Sequence, residues 1–148
     1  MNPVDIIKED HRRIEDLFAK FLDTDSEVTQ ETLFQDIENG LNTHTEMEER
    51  VLYPALRPYA PEKVDVAIDE HSQVQDLLLE LLESDLNEDA FESRFNRLVE
   101  DVRHHVEEEE SPNGLLALLQ QHFSAEQLSA IARDLLIVKN EIEEDLAA

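Results

Sequence analysis

The residues of this chain best suited to chemistry are histidines and glutamates set at helical spacing. His44 and Glu48 stand four residues apart, and so do His105 and Glu109. Four residues is about one helical turn, so each pair shares a face. His11 fills the gap in the apolar line Val4, Ile7, Ile14, Phe18 and Phe21. His71 fills the gap in the line Val64, Ile68, Val74, Leu78 and Leu81. His44 and Glu48 lead from Leu33, Ile37 and Leu41 to Leu52 and Ala55, while His105 and Glu109 extend Phe91, Phe95, Leu98 and Val102. Each of four apolar stripes therefore carries one histidine, and two carry a glutamate as well. Imidazole nitrogens and carboxylate oxygens without sulfur suit iron, manganese or zinc.

A single histidine on an apolar stripe is ordinarily a hydrogen-bonded core residue. The spacing His-x-x-x-Glu is also cheap in this chain, because Asp and Glu make up 37 of 148 residues. His104 with Glu108 and His122 with Glu126 show it too, but His104 follows the polar line of Arg97 and Asp101, and His122 lies in an outer segment. Both read as surface residues. The other four resist that reading because they occur together. Bare imidazoles and carboxylates in one buried layer cost on the order of several kcal/mol unless they pair or bind metal. A lone tetrahedral zinc leaves both glutamates without a role, whereas two ions bridged by carboxylate use every group.

The elements that position these residues are helices. Only two glycines occur, Gly40 and Gly114, and the apolar residues recur at three- and four-residue steps. Four long helices are expected at about 3–22, 30–56, 61–84 and 88–110. Asn2 caps the first, with Pro3 at its first helical position. Pro54 and Pro58 end the second, Asn87 caps the fourth, and Ser111-Pro112-Asn113-Gly114 breaks it. Short connections imply an all-α, up-down-up-down four-helix bundle in a single domain over 1–148. At a rise of about 1.5 Å per residue, the four histidines then fall within a turn or two of one layer.

A C-terminal helical extension follows at about 115–146, with Ser124 and Gln127 forming a capping box. Its stripe of Leu128, Ile131, Leu135, Val138 and Ile142 either packs on the bundle or offers a homodimer surface. The wide apolar stretch from Leu77 to Leu82 is a candidate dock for it.

Composition excludes other chemistries. The absence of cysteine removes disulfides, thiolate metal sites and iron–sulfur clusters. A net charge of −25 repels nucleic acid phosphates and anionic lipid and attracts cations. No apolar run approaches the length of a membrane span, and the N-terminus lacks a signal-peptide pattern, so the expected location is cytoplasmic.

The runs Asp10-His11-Arg12-Arg13-Ile14-Glu15, His44-Thr45-Glu46-Met47-Glu48-Glu49-Arg50-Val51-Leu52-Tyr53-Pro54, Glu70-His71 and His105-Val106-Glu107-Glu108-Glu109 resemble the hemerythrin HHE cation-binding family. The match holds in order over about 5–136. The resemblance implies a non-haem di-iron centre, favouring two iron ions over manganese or zinc. It implies that His11 and His44 serve one iron, that His71 and His105 serve the other, and that Glu48 and Glu109 bridge them. Two departures stand out. Oxygen-carrying hemerythrins have a further histidine one turn after the third-helix ligand, where this chain has Gln75, and an aspartate five residues after the last histidine, where Glu109 stands at four. Both turn the expectation from oxygen carriage toward binding dioxygen or nitric oxide for sensing, storage or detoxification. The alternatives are a di-iron peroxidase- or catalase-like enzyme, a nitric oxide-reducing enzyme, or an iron-handling protein. Glu15, one turn after His11, is either a further oxygen ligand or a partly exposed acid, and Gln75 is the other additional candidate. A ferritin-like site needs Glu-x-x-His on two helices, and the residues three before the histidines are Lys8, Leu41, Ile68 and Val102.

Overall fold

The structure, a computed structural model, describes residues 1–147. Its helices are α1 (Pro3–Leu22), α2 (Glu27–Met47), α3 (Tyr53–Leu56), α4 (Pro61–Leu82), α5 (Asp89–Glu110), α6 (Leu115–His122) and α7 (Ala125–Ala147). A π-helical turn, Glu48–Leu52, joins α2 to α3 without a break. Helices α1, α2 with its continuation, α4 and α5 form the four-helix bundle, and α7 is the additional C-terminal helix. No strand occurs among the described residues, and none of their helices is long and apolar enough to cross a membrane.

The helix ends follow local chemistry. The Val4 N–H donates to Asn2 Oδ1 at 3.0 Å. At α7 the Gln127 N–H donates to Ser124 Oγ at 3.2 Å and the Ser124 N–H to Gln127 Oε1 at 2.9 Å, a complete capping box. Helix α2 begins three residues before the expected start, because Ser26 Oγ accepts the Thr29 N–H at 3.3 Å. Asn87 does not cap α5. Its own N–H is taken by Asp85 Oδ1 at 3.2 Å and its side-chain amide donates to Glu27 at 3.2 Å, so the cap position passes to Glu88. Helix α4 stops at Leu82 instead of Ser84, whose hydroxyl folds back to the Glu80 carbonyl at 2.8 Å.

The core has two apolar ends with the polar layer between them. One end is rich in phenylalanine: Phe18, Phe21, Phe34, Phe91 and Phe95 pack with Ile37, Leu78 and Leu98. The Phe21 and Phe95 rings stack at 4.2 Å between centroids. The other end gathers Ile7, Met47, Leu52, Leu56, Val64, Leu119 and Leu135. Each such side chain, fully buried, contributes about 1.5–3 kcal/mol. Helix α7 closes this second end. Ile131, Ala132, Leu135 and Val138 are buried against α1, α2 and the π turn, so the stripe that a second copy would need is used within the chain. It does not dock on Leu77–Leu82. Leu77, Leu78 and Leu81 face the phenylalanine end, while Leu79 and Leu82 remain exposed. Helix α6 packs at the α3 and α5 ends, and the two-residue connection Phe123-Ser124 starts α7 beside it, at the end of the bundle away from Leu82.

The π turn has a local cause. Pro54 has no N–H, so an α-helix through it loses a bond and its ring crowds the preceding turn. Here the Tyr53 N–H reaches back five residues to the Glu48 carbonyl. In a regular α-helix, positions five apart diverge by about 140°. The wider turn brings them toward one face, and Glu48 and Tyr53 both point inward. It also moves the buried stripe from the expected Ala55 to Tyr53 and Leu56.

Candidate metal centre

His11, His44, Glu48, His71, His105 and Glu109 are all buried and meet in the layer between the two apolar ends. Glu48 Oε1 lies 3.1 Å from His44 Nε2 and 3.1 Å from His71 Nε2, and 3.7 Å from His105 Nε2. Glu109 Oε2 lies 3.0 Å from His105 Nε2, and its Oε1 lies 3.4 Å from His11 Nε2. The donors fall into two sets: His11, His44, Glu48 and Glu109 in one, Glu48, His71 and His105 in the other, with donor atoms in each set within 4.8 Å of one another. Glu48 belongs to both.

The two additional candidates lie outside this cluster. Glu15 is on the surface, where Arg103 Nε donates to both its carboxylate oxygens at 3.1 Å. Gln75 turns its amide to Asn42 Oδ1. His104 is exposed, as its polar line implies, and His122 stacks on Tyr59 with centroids 4.2 Å apart.

A second layer of acids went unread in the sequence. Each inward histidine presents Nε2 to the centre and is held at Nδ1 by a carboxylate. The distances are 2.7 Å for His11 to Glu110, 3.1 Å for His44 to Asp10, 2.8 Å for His71 to Glu49 and 2.9 Å for His105 to Glu70. A carboxylate can only accept, so each Nδ1 carries a proton, and in the neutral ring Nε2 is the atom left to ligate. Every one of these acids is the sequence neighbour of a central residue on the adjacent helix. Asp10 adjoins His11, Glu49 adjoins Glu48, Glu70 adjoins His71 and Glu110 adjoins Glu109. That adjacency was the available signal.

Tyr53 was also missed as a site residue. It is 1% exposed, and its hydroxyl donates to Glu109 Oε2 at 2.7 Å while lying 3.3 Å from both His71 Nε2 and His105 Nε2. Burial and the nearby Glu48 and Glu109 charges push its phenol well above the usual range. The signal was Pro54, which forces the π turn that aims the tyrosine inward.

The electrostatics describe a cluster that wants cations. Burial pushes His44 down, but Glu48 and Asp10 outweigh it and raise its pKa to about 10. His105 is raised further, with Glu109 the main opponent of burial, and Glu48 is held well below the carboxylate range despite complete burial. Even so, His11 Nε2, His44 Nε2, Glu48 Oε2 and Glu109 Oε1 are buried without a hydrogen-bond partner. Orphaned buried polar atoms cost about 1–3 kcal/mol each. Four of them, all metal-ligating types and all on residues of one donor set, fit a bound metal cation.

Residues 2–112 match the hemerythrin HHE cation binding domain. The chain belongs to this family. A curated relative, a DNA nickase from Nostoc sp., is 30% identical over 147 residues. That alignment covers 99% of this chain but 41% of the relative, so the chain spans about two fifths of that protein's length. The crystal structure of a hemerythrin HHE cation binding domain-containing protein from Mycobacterium kansasii superposes with a TM-score of 0.85 at 25% identity, covering 98% of this chain and 89% of that one. Helices α6 and α7 follow the segment matched as the HHE domain, yet the structural likeness extends over them.

Proposed function

We propose that this HHE protein holds two iron ions and binds a small diatomic ligand, dioxygen or nitric oxide, for sensing, storage or detoxification. The observation that carries this reading is the shared carboxylate: Glu48 stands in both donor sets, at the centre of a cluster with four unpartnered donor atoms. His11 and His44 would hold one ion, His71 and His105 the other, and Glu48 and Glu109 would serve both. When bound, the ion pair supplies electrons and open coordination positions to a small ligand. The chain's own residues then set what that ligand is. A cavity of about 20 Å³ touches all four histidines and is walled by Ile14, Leu41, Val74, Val102 and Val106. That is room for a guest of about water size, and apolar walls suit a neutral diatomic.

A second reading rests on Tyr53. Its hydroxyl holds a proton at Oη among the donor atoms, where it can be given to a reduced ligand. This favours peroxide turnover or nitric oxide reduction. The nicking named for the Nostoc relative is not carried over, because a net charge of −25 opposes a phosphate backbone.

The test is metal content with an optical spectrum in air and after reduction. Two irons per chain and a band that follows oxygen or nitric oxide reversibly support the first reading. Rapid loss of hydrogen peroxide that Tyr53→Phe abolishes, at unchanged iron content, supports the second. A chain that takes up one zinc and no iron overturns both.

A further inference from the structure

We propose that Glu70, His104 and Glu108 form a relay site that receives a divalent cation at the protein surface and passes it to the buried centre. The proposal rests on reading the six buried residues as a metal centre. His104 Nε2 lies 3.0 Å from Glu108 Oε1 and 3.6 Å from Glu70 Oε2, and the three donors sit within 4.8 Å of one another. Mixed imidazole and carboxylate donors suit ions such as Fe²⁺, Mn²⁺ and Co²⁺. His104 and Glu108 are exposed, so an ion there keeps much of its water and is held weakly enough to move on.

Three independent features give the relay a direction. Glu70 faces both ways: one oxygen meets His104, and the other lies 2.9 Å from His105 Nδ1. A cavity of about 420 Å³ opens between α4, α5 and α6, with Glu70 and Glu108 in its wall and His105 and Glu109 at its inner end. Glu109 is 2% exposed, and its Oε1 has no hydrogen-bond partner. The cavity thus leads from a surface donor set to a buried carboxylate with one oxygen still unpartnered.

The approach to His44 lacks that excess of acid. There a smaller cavity of about 140 Å³ has Arg13 and Lys139 in its wall against Asp10 and Glu143, so its charges balance. The one lysine at the larger mouth, Lys63, turns its ammonium to the Asn113 carbonyl, and Glu62 stands next to it. A net charge of −25 concentrates cations at the surface, and an acidic cleft focuses them.

The test uses the full chain stripped of metal and then mixed with Co²⁺ or, without oxygen, with Fe²⁺. Uptake is followed by stopped-flow absorbance and final stoichiometry by elemental analysis. His104→Gln with Glu108→Gln changes two exposed side chains and leaves the buried centre intact. Wild-type protein filling with two ions, and the double variant filling to the same level about tenfold more slowly, is the expected result. In a separate Mn²⁺ titration, paramagnetic broadening of the amides around residues 104–108 should appear in wild type and vanish in the double variant. Equal loading rates, or a variant that also loses a tightly held ion, overturn the relay. Failure of wild-type protein to hold two ions overturns the metal-centre reading itself, a result that loading rates alone would not give.

Discussion

The two halves of the centre use the same kinds of side chain in different surroundings. The half with His11 and His44 is backed by α7, whose Lys139 lies 3.6 Å from the same Asp10 that holds His44. The half with His71 and His105 has Tyr53 between its imidazoles and a cavity of about 420 Å³ beside it. One half is backed by a helix and has the smaller cavity; the other has the larger cavity and a proton donor. On the proposed two-ion reading, similar donors would divide labour, with the closed half anchoring an ion and the open half meeting what arrives.

The largest expected effect removes what the halves share. Glu48→Ala should drop metal content from two ions to fewer than one, measured by elemental analysis of protein loaded and desalted. Retention of two ions would end the idea of a common carboxylate. Next come the orienting acids, which separate the halves. Asp10→Asn and Glu70→Gln should each weaken one ion about 10–100-fold in chelator competition, while the other ion is unchanged. Equal loss of both ions from either variant would mean that the halves are one cooperative unit.

Gly114→Ala should destabilise the fold by about 1–3 kcal/mol in thermal or urea unfolding, the usual range for overpacking. A Cβ there would overlap the Glu108 and Glu109 carbonyl oxygens, against which the turn after α5 is pressed. This disturbs the open half first.

The metal-free closed half has a pH signature. His44 is raised from 6.5 to about 10 against the pull of burial. Its charged form therefore stabilises the fold fully below its unfolded value, and that contribution is lost as pH climbs through the folded value. Melting temperature of the stripped protein should fall between about pH 6.5 and about pH 10, and less in the loaded protein, where His44 Nε2 carries no proton. The smallest effect is Glu15→Gln, which breaks an exposed pair with Arg103. It should cost about 0.2–1 kcal/mol and leave metal content alone; loss of an ion would restore Glu15 to the centre.

The bundle was legible because its stripes are clean: Ile7, Ile14, Phe18 and Phe21 repeat at helical spacing and all are buried. The six central residues could be picked out because each interrupts such a stripe. Three things were not legible. The inward turn of Tyr53 depends on a π turn, which breaks the 3.6-residue period used to assign faces. The orienting acids sit one residue off the stripe, where a helical wheel marks a boundary and a chain full of carboxylates gives no contrast. The place of α7 depends on which end of the bundle a two-residue connection leaves it at, and its own stripe is silent about that.

The four orienting acids have a consequence for how this chain can change over generations. Asp10 on α1 serves α2, Glu49 serves α4, Glu70 on α4 serves α5, and Glu110 at the end of α5 serves α1. The dependencies close into a loop with no first member. Gaining or losing one residue before the layer in any helix would misplace two things at once: the group that helix gives the centre and the acid it lends its neighbour. Compensation in one partner would disturb the next. Loop lengths between helices are free to drift in such a protein, while the four registers inside the bundle must be inherited together.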